Sequence, residues 1–341
     1  SGQSVTKIDG DGHTLVLFSD GTVGGWGDRR DGQLGPLTPQ SAIFIPIALP
    51  GKAIDIAAGA RTSYVLLDNG TVLAFGYGEF GQLGCGQPCT RGSATPAPVP
   101  GLTNVTSISA RMRVAYAVHR DGSVSTWGTP EYENERRLSP IRLANLPPMS
   151  RVSAGQDFAL GLTTDGRVWL WGKIPYGVVY TDDKVRPPAE VPGLTGVTAI
   201  VATRVATALK SDGTVWVWGN NAQGQFGNGQ DDTGEKSLVP LRVPGIANAV
   251  ALTGASTGRH FFALLKDGSV RAWGNNDWGQ IGNGLSGQRQ NTVTTPRITQ
   301  VKAIFAAGNH SFAIRQDNSL WIWGARASYY RPEWPLPKQS N

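Results

Sequence analysis

Charged side chains are scarce in this chain. Asp, Glu, Lys and Arg make up 16% of its 341 residues, alongside two cysteines, two methionines and four histidines. So little charge, set against 40% hydrophobic residues, excludes a disordered polyelectrolyte tail. No apolar run reaches 18 residues, which excludes a transmembrane helix. No stretch of useful length carries a helical period of apolar residues, so a helical bundle is excluded as well. There is no His-Glu-x-x-His, no Walker loop and no nucleophile elbow, so the commonest hydrolase and nucleotide-binding chemistries have no carrier. The expectation is a protein that is not an enzyme and uses no cofactor.

Glycine, by contrast, is abundant at 45 residues, and there are 11 tryptophans. They fall in a pattern. Asp20-Gly21 is followed by Trp26-Gly27, Asn69-Gly70 by Phe75-Gly76, and Asp121-Gly122 by Trp127-Gly128. Asp165-Gly166, Asp212-Gly213 and Asp267-Gly268 lead in the same way to Trp171-Gly172, Trp218-Gly219 and Trp273-Gly274. In the last copy Asn318 takes the glycine slot before Trp323-Gly324. A repeat period of this size identifies a modular architecture.

Each copy reads as four short strands. A small-residue strand such as Ile54 to Gly59 comes first, and an Asp-Gly hairpin follows. After Trp-Gly stands a loop of the type Gly81-Gln82-Leu83-Gly84, then an extended Pro-containing piece such as Ala97-Pro98-Val99-Pro100. Four-stranded units repeated radially make a β-propeller, so the fold expected is all-β, a seven-bladed propeller forming one domain over residues 1–341. The segment Arg331 to Pro337 resembles the fourth strand, and is expected to close the ring beside Val5 to Ile8 without an exposed edge.

The unit as a whole resembles the regulator of chromosome condensation repeat. Its fullest copies are Ala58-Gly59 with Gly81-Gln82-Leu83-Gly84, and His260 with Gly279-Gln280-Ile281-Gly282. That resemblance implies a propeller that binds a partner protein through one face. Family members include a nucleotide-exchange factor for a small GTPase and bacterial propeller inhibitors of β-lactamases. The expected function is therefore a non-enzymatic interaction scaffold, an inhibitor or regulator, and monomeric. Two alternatives stay open: an enzyme or carbohydrate-binding protein that uses the central channel, and an exchange-type regulator of a small GTPase. The units are compact and show no long inserted wing assignable to nucleotide exchange.

Other motifs have bland readings. Gly76-Tyr77-Gly78-Glu79-Phe80-Gly81 fits a dinucleotide fingerprint but opens no helix. Asp9-Gly10-Asp11-Gly12 resembles the start of a calcium loop but lacks the closing Glu. His13, His260 and His310 share one repeat slot at the start of the second strand, where a structural ring is expected rather than a metal ligand. Asn104-Val105-Thr106 is a glycosylation sequon, relevant only in a secretory pathway. Cys85 and Cys89 are separated by Gly-Gln-Pro, and a disulfide, two free thiols or half a metal site all remain open. A disulfide would place the protein in a periplasmic or secreted compartment, and free thiols would leave the cytoplasm open.

Alternation of strand direction puts the turn after the first strand on the same face as the loop after Trp-Gly. Asp-Gly turns open on the other face. Four of the seven first turns carry Arg just before the His slot, namely Arg61, Arg113, Arg204 and Arg259. Around them the loops supply Tyr77, Phe80, Tyr132, Tyr176, Tyr180, Trp278, Tyr329 and Tyr330. Phe80 and Trp278 occupy one repeat slot, which holds Asp31 in the first unit and Gln223 in the fifth. With a net charge of +6, this face is expected to meet an acidic protein surface. No basic run points to specific nucleic-acid binding, and no membrane insertion is expected.

Overall fold

The computed structural model describes residues 3–36, 44–86, 89–130, 136–173, 185–230, 236–255, 257 and 259–325, with the backbone alone at 89–91. They fold as seven antiparallel sheets and no helix, the blades of a seven-bladed β-propeller. The chain falls into two compact units. The first, up to Ala144, holds blades 1 to 3, and the second, Asn145–Ala325, holds blades 4 to 7.

Blade 1 consists of Val5–Gly10, His13–Phe18, Val23–Gly27 and Ile45–Ile47. Blade 2 is Ala53–Ala58, Thr62–Leu67, Val72–Gly78 and Cys89–Pro98, and blade 3 is Val105–Arg111, Val114–His119, Val124–Gly128 and Arg137–Arg142. In the second unit, blade 4 runs Met149–Ala154, Phe158–Thr163, Val168–Gly172 and Arg186–Glu190. Blade 5 runs Val197–Ala202, Ala206–Lys210, Val215–Asn220 and Lys236–Arg242. Blade 6 comprises Ala249–Ala255, His260–Leu265, Val270–Gly274 and Gln290–Thr294. Three strands of blade 7 are described, Val301–Ala307, His310–Arg315 and Leu320–Gly324. The expected closing strand at 331–337 lies outside the described residues.

The core sits between blades rather than within them. Leu15, Val23, Leu34 and Ile45 of blade 1 pack on Ile56, Val65 and Phe75 of blade 2. Val205, Val217 and Phe226 of blade 5 pack on Phe261, Ala263 and Trp273 of blade 6. Both faces of a second strand are therefore buried, and Thr62–Leu67 is buried along its whole length rather than at alternate residues. First strands lie beside one another inside each unit. Ala58 N donates to Asp9 Oδ2 at 3.1 Å, Ile108 N to Asp55 Oδ2 at 3.2 Å, and Ala202 N to Ser153 Oγ at 2.9 Å. Asp9 thus caps backbone donors, and Asp11 pairs with Arg111 at 3.4 Å, so the supposed calcium loop spends its carboxylates on structure.

The Asp-Gly hairpins are three-residue turns. Gly21 N donates to Phe18 O at 3.0 Å with Gly21 in the left-handed region at φ 85°, and Asn318 serves at φ 67° in blade 7. The Asp carboxylate also binds the residue two positions on. Asp20 Oδ1 accepts Thr22 N at 3.0 Å and its hydroxyl at 2.7 Å, and Asp121 holds Ser123, Asp212 Thr214 and Asp267 Ser269 likewise. These bonds hold each of those carboxyls below the usual Asp range.

The tryptophans of the third strands are not all core residues. Trp127, Trp218 and Trp273 are fully buried between blades, but Trp321, two residues ahead of Trp323, is 49% exposed. It is held by Ser319 Oγ at 3.0 Å and flanked by Arg315, because its position faces outward on the third strand. Trp216 is only partly buried, for the same reason.

Candidate functional site

Two devices recur at the blade ends that carry the first turn and the post-Trp-Gly loop. The first joins them. The residue before the His slot offers its carbonyl to the N–H that follows Trp-Gly: Tyr77 N to Arg61 O at 2.9 Å, Thr129 N to Arg113 O at 3.1 Å, and Asn275 N to Arg259 O at 3.0 Å. The Trp-Gly glycine has to be glycine for this. A Cβ on Gly128, at φ 83°, would lie 1.9 Å from Arg113 O. The second device shapes the loop. Gln33 Oε1 accepts Asp31 N at 2.9 Å, Gln82 Oε1 accepts Phe80 N at 2.8 Å, and Gln280 Oε1 accepts Trp278 N at 2.8 Å. A buried glutamine so holds the residue two positions earlier at the rim.

The same glutamines tie neighbouring blades. Trp127 Nε1 and Tyr64 Oη donate to Gln82 O, Trp273 Nε1 donates to Gln225 O, and Trp323 Nε1 donates to Gln280 O, each at 2.8 Å. Ser63 Oγ donates to Gln33 O at 2.5 Å, so its oxygen must accept the proton of His13 Nε2, 2.7 Å away. His260 repeats the arrangement through Ser311 and Gln280 O. These histidines are buried structural rings. Burial pushes His13 down to about 4, and lowers His310. Among the described residues no cluster of three His, Cys, Asp or Glu is placed to hold a metal.

In the first unit the predicted Arg and aromatic residues come together as one stack. Arg61 donates from Nε and Nη2 to both oxygens of Asp31, at 2.6 and 2.7 Å. Its guanidinium lies 4.2 Å from the Tyr77 ring centroid, and the Tyr77 hydroxyl donates to Glu79. Tyr77 and Phe80 rings follow at 6.1 Å. Arg113 of blade 3 then lies 3.8 Å over Phe80, and Arg136 approaches the same ring at 5.4 Å while donating to Glu79 O at 3.0 Å. Asp31, Glu79 and Arg136 were not predicted. Asp31 could have been found from its repeat slot, but its pairing with the next blade's Arg could not.

The second unit is more open. Arg204 is exposed, and Trp278 is 56% exposed. Arg259 is a non-glycine residue in the left-handed region, φ 50°. Burial, then the charge of Arg204, lowers its guanidinium pKa, and Asp277 opposes the shift. Tyr132, Tyr176, Tyr180, Tyr329 and Tyr330 lie outside the described residues. So does the Cys89 side chain, and with it the Cys85–Cys89 pairing; Cys85 itself is partly buried against the cluster around Leu83 and Trp127.

Both ends of the blades carry paired cations, and at the loop end Arg61 pairs with Asp31 and Arg30 with Asp28. At the Asp-Gly end, Arg142 pairs with Asp121, Arg167 with Asp165, and Arg315 with Asp317. At the loop end, Arg113, Arg136, Arg204 and Arg259 have no carboxylate within salt-bridge distance among the described residues.

Sheets of this order define a β-propeller, and in the first unit its loops carry a stack of guanidinium and aromatic groups. The repeat names the family. Residues 69–110 and 212–265 match the regulator of chromosome condensation (RCC1) repeat, and a second model of that repeat matches 53–82, 150–176 and 255–280. These matched repeats support an RCC1-type β-propeller. It is 28% identical to the ultraviolet-B receptor UVR8 of Arabidopsis thaliana, over 92% of this chain and 75% of the receptor. It is 33% identical to the bovine (Bos taurus) secretion-regulating guanine nucleotide exchange factor, over 49% of this chain and 40% of that protein. The crystal structure of Prp20p from Saccharomyces cerevisiae, described with its binding to Gsp1p and histones, superposes with a TM-score of 0.75. It is 21% identical, over 94% of this chain and 82% of that one, and shares the fold. None of these three is a bacterial inhibitor, and that part of the resemblance stands on the sequence alone.

Proposed function

We propose that this chain is a non-enzymatic scaffold that binds an acidic partner protein through the loop end of its blades. The observation that carries this reading is the continuous stack from Asp31 and Arg61 through Tyr77 and Phe80 to Arg113 and Arg136. Arginine and aromatic side chains dominate interface hot spots, because they bury large area and direct hydrogen bonds with few rotors to freeze. Uncompensated cations at the same end favour an acidic surface and speed its encounter. The test is a footprint. With a partner isolated from the source organism, hydrogen exchange of the complex should show protection at residues 28–36, 59–62, 76–86 and 111–113. Protection confined to the Asp-Gly turns would reject the reading.

A second reading, exchange of guanine nucleotide on a small GTPase, is favoured by the identity to the bovine exchange factor. Accelerated release of labelled GDP from a GTPase of the source organism would support it. The extracytoplasmic location follows only if Cys85 and Cys89 are bridged. Mass spectrometry without reductant, on protein from its native source, decides that, and two free thiols remove the argument.

A further inference from the structure

The first unit contains both an occupied and an unoccupied version of one recognition element. In blade 1 the repeat slot held by Gln33 is Asp31. Its carboxylate reaches the next blade and takes the in-plane donors of Arg61, while the flat face of that guanidinium rests on Tyr77. In blade 2 the same slot, held by Gln82, is Phe80. Its ring reaches the next blade's Arg113 face-on, at 3.8 Å. Phe80 orients that guanidinium but offers nothing to its edge. Among the described residues no carboxylate meets Arg113, nor the neighbouring Arg136. Stacking fixes the plane of a guanidinium, and an in-plane bidentate carboxylate is then its best-matched ligand.

We infer that the edge of Arg113, stacked on Phe80 beside Arg136, receives a carboxylate side chain of the partner protein, taking the place that Asp31 takes for Arg61 within the chain. This rests on the reading of the loop end as the binding surface, and it names the group that surface recognises. An Asp or Glu fits because the internal copy is itself a carboxylate, with bonds of 2.6 and 2.7 Å.

The arginine Nε–H signals of the whole chain, followed by NMR during titration with an octaglutamate peptide, test the inference. Arg113 should shift saturably, Arg61 should stay still because Asp31 already holds it, and octaglutamine should move neither. Phe80→Asp supplies the carboxylate in cis and should weaken the peptide at least tenfold. Arg113→Lys keeps the charge but loses the fork, and should weaken it as well even if Phe80→Asp fails to fold. No shift at Arg113, or equal shifts at Arg113 and at Arg142 of the Asp-Gly end, overturns the inference. A response to an octaphosphoserine peptide alone would reassign the site to phosphate and overturn it too. The sequence leading into Arg136 carries Glu131, Glu133 and Glu135. A response seen only after all three are changed to Gln would make the ligand intramolecular and overturn the partner assignment. If a partner protects the loop end while Arg113→Lys leaves its affinity unchanged, this inference falls and the proposed function stands.

Discussion

Acidification should unlock the bond between blades 1 and 2 at His13. The ring is buried and neutral, with Nε2–H committed to Ser63, whose hydroxyl is in turn committed to Gln33 O. Nδ1 has no partner, so a second proton there would be buried without an acceptor. The folded value is about 4 against the ordinary 6.5. Between those values the unfolded chain binds the proton and the folded one does not, so stability falls as pH drops through that window and levels off below it. Linkage gives a loss on the order of 1 kcal/mol at pH 5.5 and about 2–3 kcal/mol at pH 4.5, relative to neutral pH. Urea denaturation of the wild type and His13→Gln at pH 7.5, 5.5 and 4.5 isolates this contribution from the titrating carboxylates. The variant should be less stable at pH 7.5, and the gap should close as pH falls. Parallel curves across the three pH values would refute the reasoning.

Other consequences follow from the same geometry. Gly128→Ala should destabilise by roughly 3 kcal/mol or more, adding a backbone clash to the left-handed penalty. Gly101→Ala, at φ 78° with open space around the new methyl, should lose only about 1 kcal/mol; equal losses in thermal melts would contradict the carbonyl contact. Trp127→Phe keeps an aromatic ring but removes the donor to Gln82 O, which Tyr64 still serves. A loss of about 2 kcal/mol is expected in urea denaturation, and no loss would mean that this bond does not tie blades 2 and 3.

The fold was legible because its constraints are local. A left-handed residue at the hairpin and a glycine beneath the Arg carbonyl are each written within one repeat, so seven copies announce seven blades. The Ser or Thr two residues after the Asp was equally visible, and its role emerged only when both its bonds to the carboxylate were seen. The site was half legible. Arg61, Arg113, Tyr77 and Phe80 were named from slot and loop, but their contacts cross from one blade to the next, and repeat spacing alone does not say which slot meets which. Asp31 looked like a residue of no consequence, yet it fills the edge of Arg61. The exposure of Trp321 was not legible, because alternation along a strand distinguishes its two sides without saying which one is covered.

The central claim is that the stacked rim of the first unit is the binding surface. Its most direct test is the affinity of the isolated partner for Phe80→Ala combined with Arg113→Ala, set beside Asp20→Asn combined with Asp121→Asn at the Asp-Gly end, by calorimetry at physiological salt. The rim pair should weaken binding by about 3–4 kcal/mol, the effect of two hot spots, and the turn pair should leave it within a factor of a few. Unchanged affinity for the rim pair, with loss in the turn pair, would contradict the account.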